Sequence, residues 1–222
     1  MAIDFPNSPT NNQTHTVGGK TWTYSVVTYA IGDTGPAGGK IFITPSTAGN
    51  STGKYFEAAP YLNPDVTRTW STGANQTALV SGADGSAIGT GEQNTLDIVA
   101  QSGNVAATCA AAYANDYTSG SYSDWFLPSG NELNEMYTQR TLIGGYNSAR
   151  YWTSTESSST AAYTTTFFNT SYGTLGKSST TNAVRPVRSF AVEGGRWVVV
   201  DKVNNASNQV YDVTVLLRME TN

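Results

Sequence analysis

A single cysteine, Cys109, rules out an intrachain disulfide in this 222-residue chain, so its stability must come from packing or assembly. There is also one histidine, His15, and it lies in an N-terminal stretch that reads as an extended arm. A Ser-His-Asp or Cys-His arrangement would have to recruit that residue, so nucleophilic catalysis is not expected. One His and one Cys cannot close a tetrahedral zinc site, and no dense acidic run offers calcium its six to eight oxygens. No cofactor or metal is expected. Charged residues make up only 13% of the chain and the net charge is -4, which argues against nucleic acid and against a polybasic membrane patch. No apolar run approaches the ~18 residues of a membrane span, so no membrane insertion is expected. The opening MAIDFPNSPTNNQTH has neither a basic n-region nor an apolar h-region; synthesis in a cytoplasm without a cleaved signal is expected.

Glycine is plentiful at 22 residues, and Ser, Thr and Asn fill the gaps between short apolar segments, a balance that favours strands and long polar loops. The densest stretch is Asp124–Tyr137, DWFLPSGNELNEMY. Ser129 and Glu132 have the spacing of a capping box, Pro128 enforces an extended entry, and Leu133, Met136 and Tyr137 make one apolar helical face. Trp125 and Leu127 are expected to be buried, and the stretch is read as structural. Of the acids available for paired-carboxylate hydrolysis (Asp124, Glu132, Glu135, Glu156), Glu132 is better explained as a cap and Glu156 as the ion-pair partner of Arg185 or Arg188. No catalytic residue is assigned.

Along the rest of the chain, residues 2–14 read as an arm that orders on a partner or on the body of the fold. Thr16–Ser25, with its Gly18-Gly19 turn, reads as a small hairpin. Gly32–Gly39, GDTGPAGG, has too few triplets for collagen and no Lys-Ser/Thr pair for phosphate, so it reads as a turn feeding the strand Lys40–Ile43. Tyr55–Ala59 is a second short strand. Thr90 and Gln93 predict a capping box for a helix whose face is Leu96, Val99 and Ala100, and Asn104 is expected to cap the alanine-rich helix that follows. Cys109, among alanines, reads as a buried inert thiol. Tyr151–Glu156 is a strand whose adjacent aromatics, Tyr151 and Trp152, face opposite sides. Ala161–Phe168 is a strand, Asn169–Thr181 a polar hairpin, and Val184–Phe190 a strand with Pro186 at an edge or bulge and Arg185 and Arg188 on opposite faces. Arg196–Asp201 and Val210–Met219 form a terminal hairpin with one apolar face, its partner being either the domain or another subunit.

Taken in order, GDTGPAGGKIF, YFEAAP, GTGEQNT, the alanine-rich helix, DWFLPSGNELNEMY, YWTSTE and VRPVRSF resemble the C-terminal domain of collagen-like bacterial adhesins, over roughly Tyr29–Phe190. The resemblance implies an α+β, C-type-lectin-like fold: a small twisted antiparallel sheet, two or three helices and long polar loops on one side. Such folds are distantly similar to formylglycine-generating enzymes and phage tropism determinants. The arm MAIDFPNSPT is similar to the start of cyanophage tail-fibre and other virion proteins. The Glu-Pro-Asn or Gln-Pro-Asp tripeptide of calcium-dependent lectins is absent here, as are the reactive cysteines of the formylglycine-generating enzymes, so neither activity is carried over.

The implied organisation is an attachment arm and hairpin at 1–28, a lectin-like domain at 29–190 and a C-terminal β-hairpin at 191–222. By similarity to tropism determinants, ligand contacts are expected at Tyr163, Asn169, Tyr172 and Lys177. Trp125, Leu127, Ser129, Glu132, Trp152, Glu156, Arg185 and Arg188 are expected to be structural. The expected function is that of a phage virion structural protein, a tail fibre or tail appendage that binds a host surface glycan or protein. It would contact other virion proteins through the arm and C-terminal hairpin and form a homo-oligomer. A capsid decoration or cement protein is the second expectation, and a bacterial surface adhesin binding polysaccharide the third.

Overall fold

A computed structural model describes residue 6 and residues 9–17, 19–61, 65–147, 149–167, 172–192, 196–204 and 210–216. Two compact units emerge, one spanning Tyr29–Ala191 and the other joining Met1–Thr28 to Val192–Asn222. The architecture is α+β, with small antiparallel sheets and few helices.

The chain enters through β1 (Thr14–Val17) and β2 (Lys20–Ser25), which pair antiparallel with Val17 opposite Lys20; Gly18 of the expected Gly18-Gly19 turn lies outside the described residues. In the larger unit, β3 (Lys40–Ile43) pairs with β4 (Tyr55–Ala58). Among the described residues, a 3-10 turn at Gly73–Thr77 and four α-helices follow: α1 (Gly91–Ala100), α2 (Ala110–Asn115), α3 (Gly130–Thr138) and the short α4 (Arg140–Ile143). A meander of β5 (Arg150–Ser158), β6 (Ala161–Thr166) and β7 (Tyr172–Gly176) forms the second sheet. Next, β8 (Val187–Phe190) returns to the far side of β4 and completes the first. Finally β9 (Arg196–Asn204) and β10 (Val210–Leu216) pair with each other, and β9 also pairs with β2, so both chain ends share one sheet of order β1-β2-β9-β10.

The larger unit owes its interior to two extended segments that send neighbouring side chains to different places. Tyr151 and Trp152 of β5 are both fully buried, yet Tyr151 joins a cluster with Phe42, Phe56, Leu133 and Met136, whereas Trp152 joins one with Trp70, Ile98 and the alanines of α2. This is the period-2 alternation of an extended strand with core on both faces. The extended run before α3 repeats the device. Trp125 packs with Ala37 and Ala59, Phe126 enters the Tyr151 cluster, and Leu127 enters the Trp152 cluster. Three consecutive residues thus tie three packing regions to the start of one helix.

The capping box at that start is present: Ser129 accepts from the Glu132 N–H at 3.4 Å, and Glu132 accepts from the Ser129 N–H at 2.7 Å. The box expected at Thr90 is not. Thr90 already has helical dihedrals, its hydroxyl donates to Ala87 O, and the Gln93 amide donates to Asp97. The reason lies 41 residues downstream, where Glu132 takes the Gly91 N–H at the start of α1. The buried face of α1 is also different from the expected one. Gly91, Asn94, Thr95 and Ile98 point inward, while Leu96 and Ala100 are exposed. Polar residues can occupy that face because each is bonded: Asn94 donates to Gly85 O and Ser154 Oγ, and Thr95 accepts from the Leu127 N–H. Asn104 caps no following helix; it accepts from the Thr72 N–H and donates to Ile98 O near the end of α1. Cys109 is buried in the second cluster and its thiol donates to Trp70 O; burial raises its pKa.

Candidate functional site

Within the larger unit, three buried glutamates hold loops to the frame, and the exposed features of interest sit on the loops so held. Glu57, in the middle of β4, accepts from the Ala37 N–H at 3.2 Å and the Gly39 N–H at 2.6 Å and pairs with Arg188 at 3.3 Å. The glycine-rich turn therefore does cradle an anion, but one supplied by the protein itself. A Cβ on Gly35 would lie 2.7 Å from each Glu57 carboxylate oxygen, so only glycine allows the turn to close that tightly. Arg188 also forks onto Asp124 through two 2.8 Å bonds. Partial burial works against the Asp124 charge, but the bonds and attraction from Arg188 outweigh it and hold the carboxyl below its ordinary value.

Glu132 does more than cap α3. Its second oxygen accepts from the Gly89 N–H at 2.8 Å, so one carboxyl joins the beginnings of α1 and α3. Complete burial raises its pKa to about 7, against the opposing pull of those backbone N–H groups.

The third glutamate corrects two expectations. Glu156 is the partner of Lys177 rather than of Arg185 or Arg188, and it also accepts from the Val80 N–H at 3.0 Å. Arg185 instead donates to Ala59 O at 2.7 Å and Gly145 O at 2.6 Å, with its guanidinium between the rings of Tyr61 and Tyr146. Lys177, expected at the surface as a ligand contact, is fully buried. Its ammonium meets Glu156, donates to Ala78 O at 2.7 Å and lies 4.7 Å from the centre of the Trp70 ring. A side chain so enclosed cannot touch an external ligand; it fastens the 78–80 loop to the sheet.

Tyr163 and Tyr172 do come together. Register sets Tyr163 opposite Thr174 and Thr165 opposite Tyr172, so the two tyrosines are diagonal neighbours on one face of the β6–β7 pair. Their rings stack at 5.1 Å with 13° between planes; Tyr172 is 48% exposed and Tyr163 half-buried. Burial, and then the neighbouring Tyr163, raise the Tyr172 phenol above its ordinary range, so it remains a neutral donor. A Cβ on Gly130 would stand 2.8 Å from the Tyr172 hydroxyl, so the absence of a side chain there lets the ring lie over the first turn of α3. Asn131 and Asn134 of that helix and Thr174 of β7 are exposed. Asn169, the remaining predicted contact, lies outside the described residues. Trp125, Leu127, Ser129 and Trp152 are buried, and the Trp152 indole donates to Arg68 O at 2.9 Å.

A cleft of about 470 Å³ lies between the 79–84 loop and the end of β5, lined by Leu79, Val80, Ser81, Gly82, Asp84 and Glu156–Ser158. Apart from Glu156, nothing local in the sequence marks its residues. Glu57 and Glu156 did leave a trace, as a carboxylate flanked by apolar or small residues in a short strand. Among the described residues, no group of three or more His, Cys, Asp or Glu is placed to hold a metal ion. What the surface offers chemically is stacking and hydrogen bonding on a rigid support. Neither the protein-family models nor the curated proteins compared with this chain match it.

Proposed function

We propose that this chain is a phage virion structural protein, a tail fibre or tail appendage, whose residues 29–191 form a C-type-lectin-like domain that recognises the host surface. The reading is carried by the Tyr163–Tyr172 stack, a half-exposed aromatic pair on a meander held by internal ion pairs. Tyrosine gives large contact area at small entropic cost, and the neighbouring Asn and Thr side chains supply adaptable hydrogen bonds to a glycan or protein epitope. The sheet that unites both chain ends serves attachment to other virion proteins and self-association, through its edge strands β1 and β10. That same sheet favours one second reading, a capsid decoration protein, in which attachment is the whole task.

Two measurements test the proposal. Antibody to the chain should label tails in electron micrographs of particles that carry it; uniform labelling of the shell would favour decoration instead. Purified full-length protein should bind host cells, and Tyr172→Ala should weaken that binding about tenfold or more, the effect of losing roughly 1.4 kcal/mol, with an unchanged melting temperature. Binding indifferent to Tyr172 would remove the aromatic shelf as the site.

A further inference from the structure

We infer that the cleft between the 79–84 loop and the end of β5 is a second subsite, continuous with the tyrosine shelf, and that the ligand is an extended neutral glycan rather than a single sugar or an anionic polymer. The inference rests on reading the domain as a recognition module. It adds where a second part of the ligand lies and what charge it carries.

Three observations lead there. First, the cleft is built rather than incidental. One wall, the 78–83 loop, is fixed by four bonds: Lys177, just after β7, to Ala78 O; Glu156 of β5 to the Val80 N–H; the Glu156 N–H to Ala83 O at 2.7 Å; and, from the end of α1, the Gln101 amide to Leu79 O. A ligand entering it meets a preformed shape and bears little ordering cost. Second, its lining suits a polyhydroxylated ring. Leu79, 67% exposed, offers an apolar patch, while Ser81, Ser157, Ser158 and Asp84 are exposed polar partners. Glu156 is compensated by Lys177, which leaves the exposed Asp84 as the charge of a lining that holds no Lys or Arg, so a carboxylated or sulfated sugar would be repelled.

Third, the two places adjoin. The loop that walls the cleft continues from Asp84 through Gly85 and Ser86 to the start of α3. There Thr155 donates to Gly85 O and the Asn131 N–H donates to Ser86 O. A Cβ on Gly130 would have the Tyr172 hydroxyl at 2.8 Å and Ser86 Cβ at 3.7 Å, so Tyr172 and Ser86, two residues beyond the lining residue Asp84, approach one point above the start of α3. A chain molecule lying across Tyr172 is led along Ser86 into the cleft.

The test is an array of neutral glycans, each repeat displayed as mono-, di-, tetra- and hexasaccharide, with carboxylated and sulfated counterparts, probed with the full-length chain and two variants. The expected result is affinity rising at least about tenfold from mono- to hexasaccharide, with anionic counterparts weaker. Ser81→Trp, an exposed change that fills the cleft, should cut hexasaccharide binding to the monosaccharide level and leave monosaccharide binding unchanged, whereas Tyr172→Ala should weaken both about tenfold or more. Binding that depends on Tyr172 but not on glycan length or Ser81 would overturn the second subsite and keep the recognition reading. Preference for anionic glycans would overturn the charge assignment. Binding to no glycan while the protein still binds host cells would overturn the glycan class, and binding to neither would overturn the recognition reading along with it.

Discussion

Replacing Lys177 by Met isolates what its charge does. Methionine keeps an unbranched stem beside the Trp70 ring but removes the ammonium, leaving a 5%-exposed Glu156 side chain with only the Val80 N–H and leaving Ala78 O without its donor. Breaking a buried ion pair from one side costs about 3–5 kcal/mol, because the remaining charge stays desolvated without its counterion. At two to four degrees per kcal/mol for a domain of this size, that is a fall in melting temperature of about 10 °C. Glu156→Gln alone should cost a similar amount by stranding the ammonium. The double variant removes both charges and keeps an acceptor for Val80, so it should recover most of the loss, with a coupling energy of about 2 kcal/mol or more. Urea unfolding of the full-length chain, followed by tryptophan fluorescence, measures all four corners of the cycle. Single substitutions each costing under about 1 kcal/mol, and adding without coupling, would refute the buried pair, since that is how solvated surface pairs behave. Monosaccharide binding, which uses the tyrosine shelf alone, should be the same for Lys177→Met as for wild type at a temperature where the variant stays folded. Lost binding at full stability would return Lys177 to the ligand surface.

Glu132 and Gly35 supply two more tests. The Glu132 carboxyl has its pKa raised from 4.5 in the unfolded chain to about 7, so the folded state holds the extra proton. Its contribution is therefore complete below pH 4.5 and is lost as pH rises through 7, a decline of about 3 kcal/mol across that window. Glu132→Gln should flatten that part of a pH–stability profile, and parallel profiles for the two proteins would refute the assignment. At Gly35, alanine would press its methyl into the Glu57 carboxylate and lower stability by about 1–3 kcal/mol, whereas Gly173→Ala, with nothing within 4 Å of the new carbon, should be nearly neutral in thermal unfolding. Equal effects at the two sites would mean the glycine turn does not close on Glu57.

How much of this was legible in the residues depends on the sequence distance of each partner. The cap of α3, the burial of Trp125 and Leu127 and the opposed neighbours Tyr151 and Trp152 are set within a turn of helix or two residues of strand, so local pattern reveals them. The partners of the buried charges are not local. Arg188 reaches Glu57 across 131 positions, Glu156 reaches Val80 across 76, and Glu132 reaches Gly89 across 43. Lys177 lies in a stretch of Gly, Ser and Thr that reads as solvated, and only packing against Trp70 encloses it. The misplaced face of α1 has the same origin, since its inward Asn94 and Thr95 are stabilised by bonds to residues remote in sequence.

A chain with so little charge still puts Glu57, Glu132, Glu156, Lys177, Arg185 and Arg188 inside. Polar loops without disulfides have few apolar side chains to anchor them. A buried carboxylate accepting two or three backbone N–H groups can fix such a loop with a single residue, provided the loop brings small residues close enough. That requirement explains why glycines gather at 35, 39, 89 and 91, around Glu57 and Glu132, where a phosphate-binding reading would otherwise be drawn to them. It also explains how an exposed loop residue such as Ser81 at the cleft can be positioned by its backbone without being packed. Such residues are free to vary while the internal carboxylates hold the frame, which is the division a recognition surface needs.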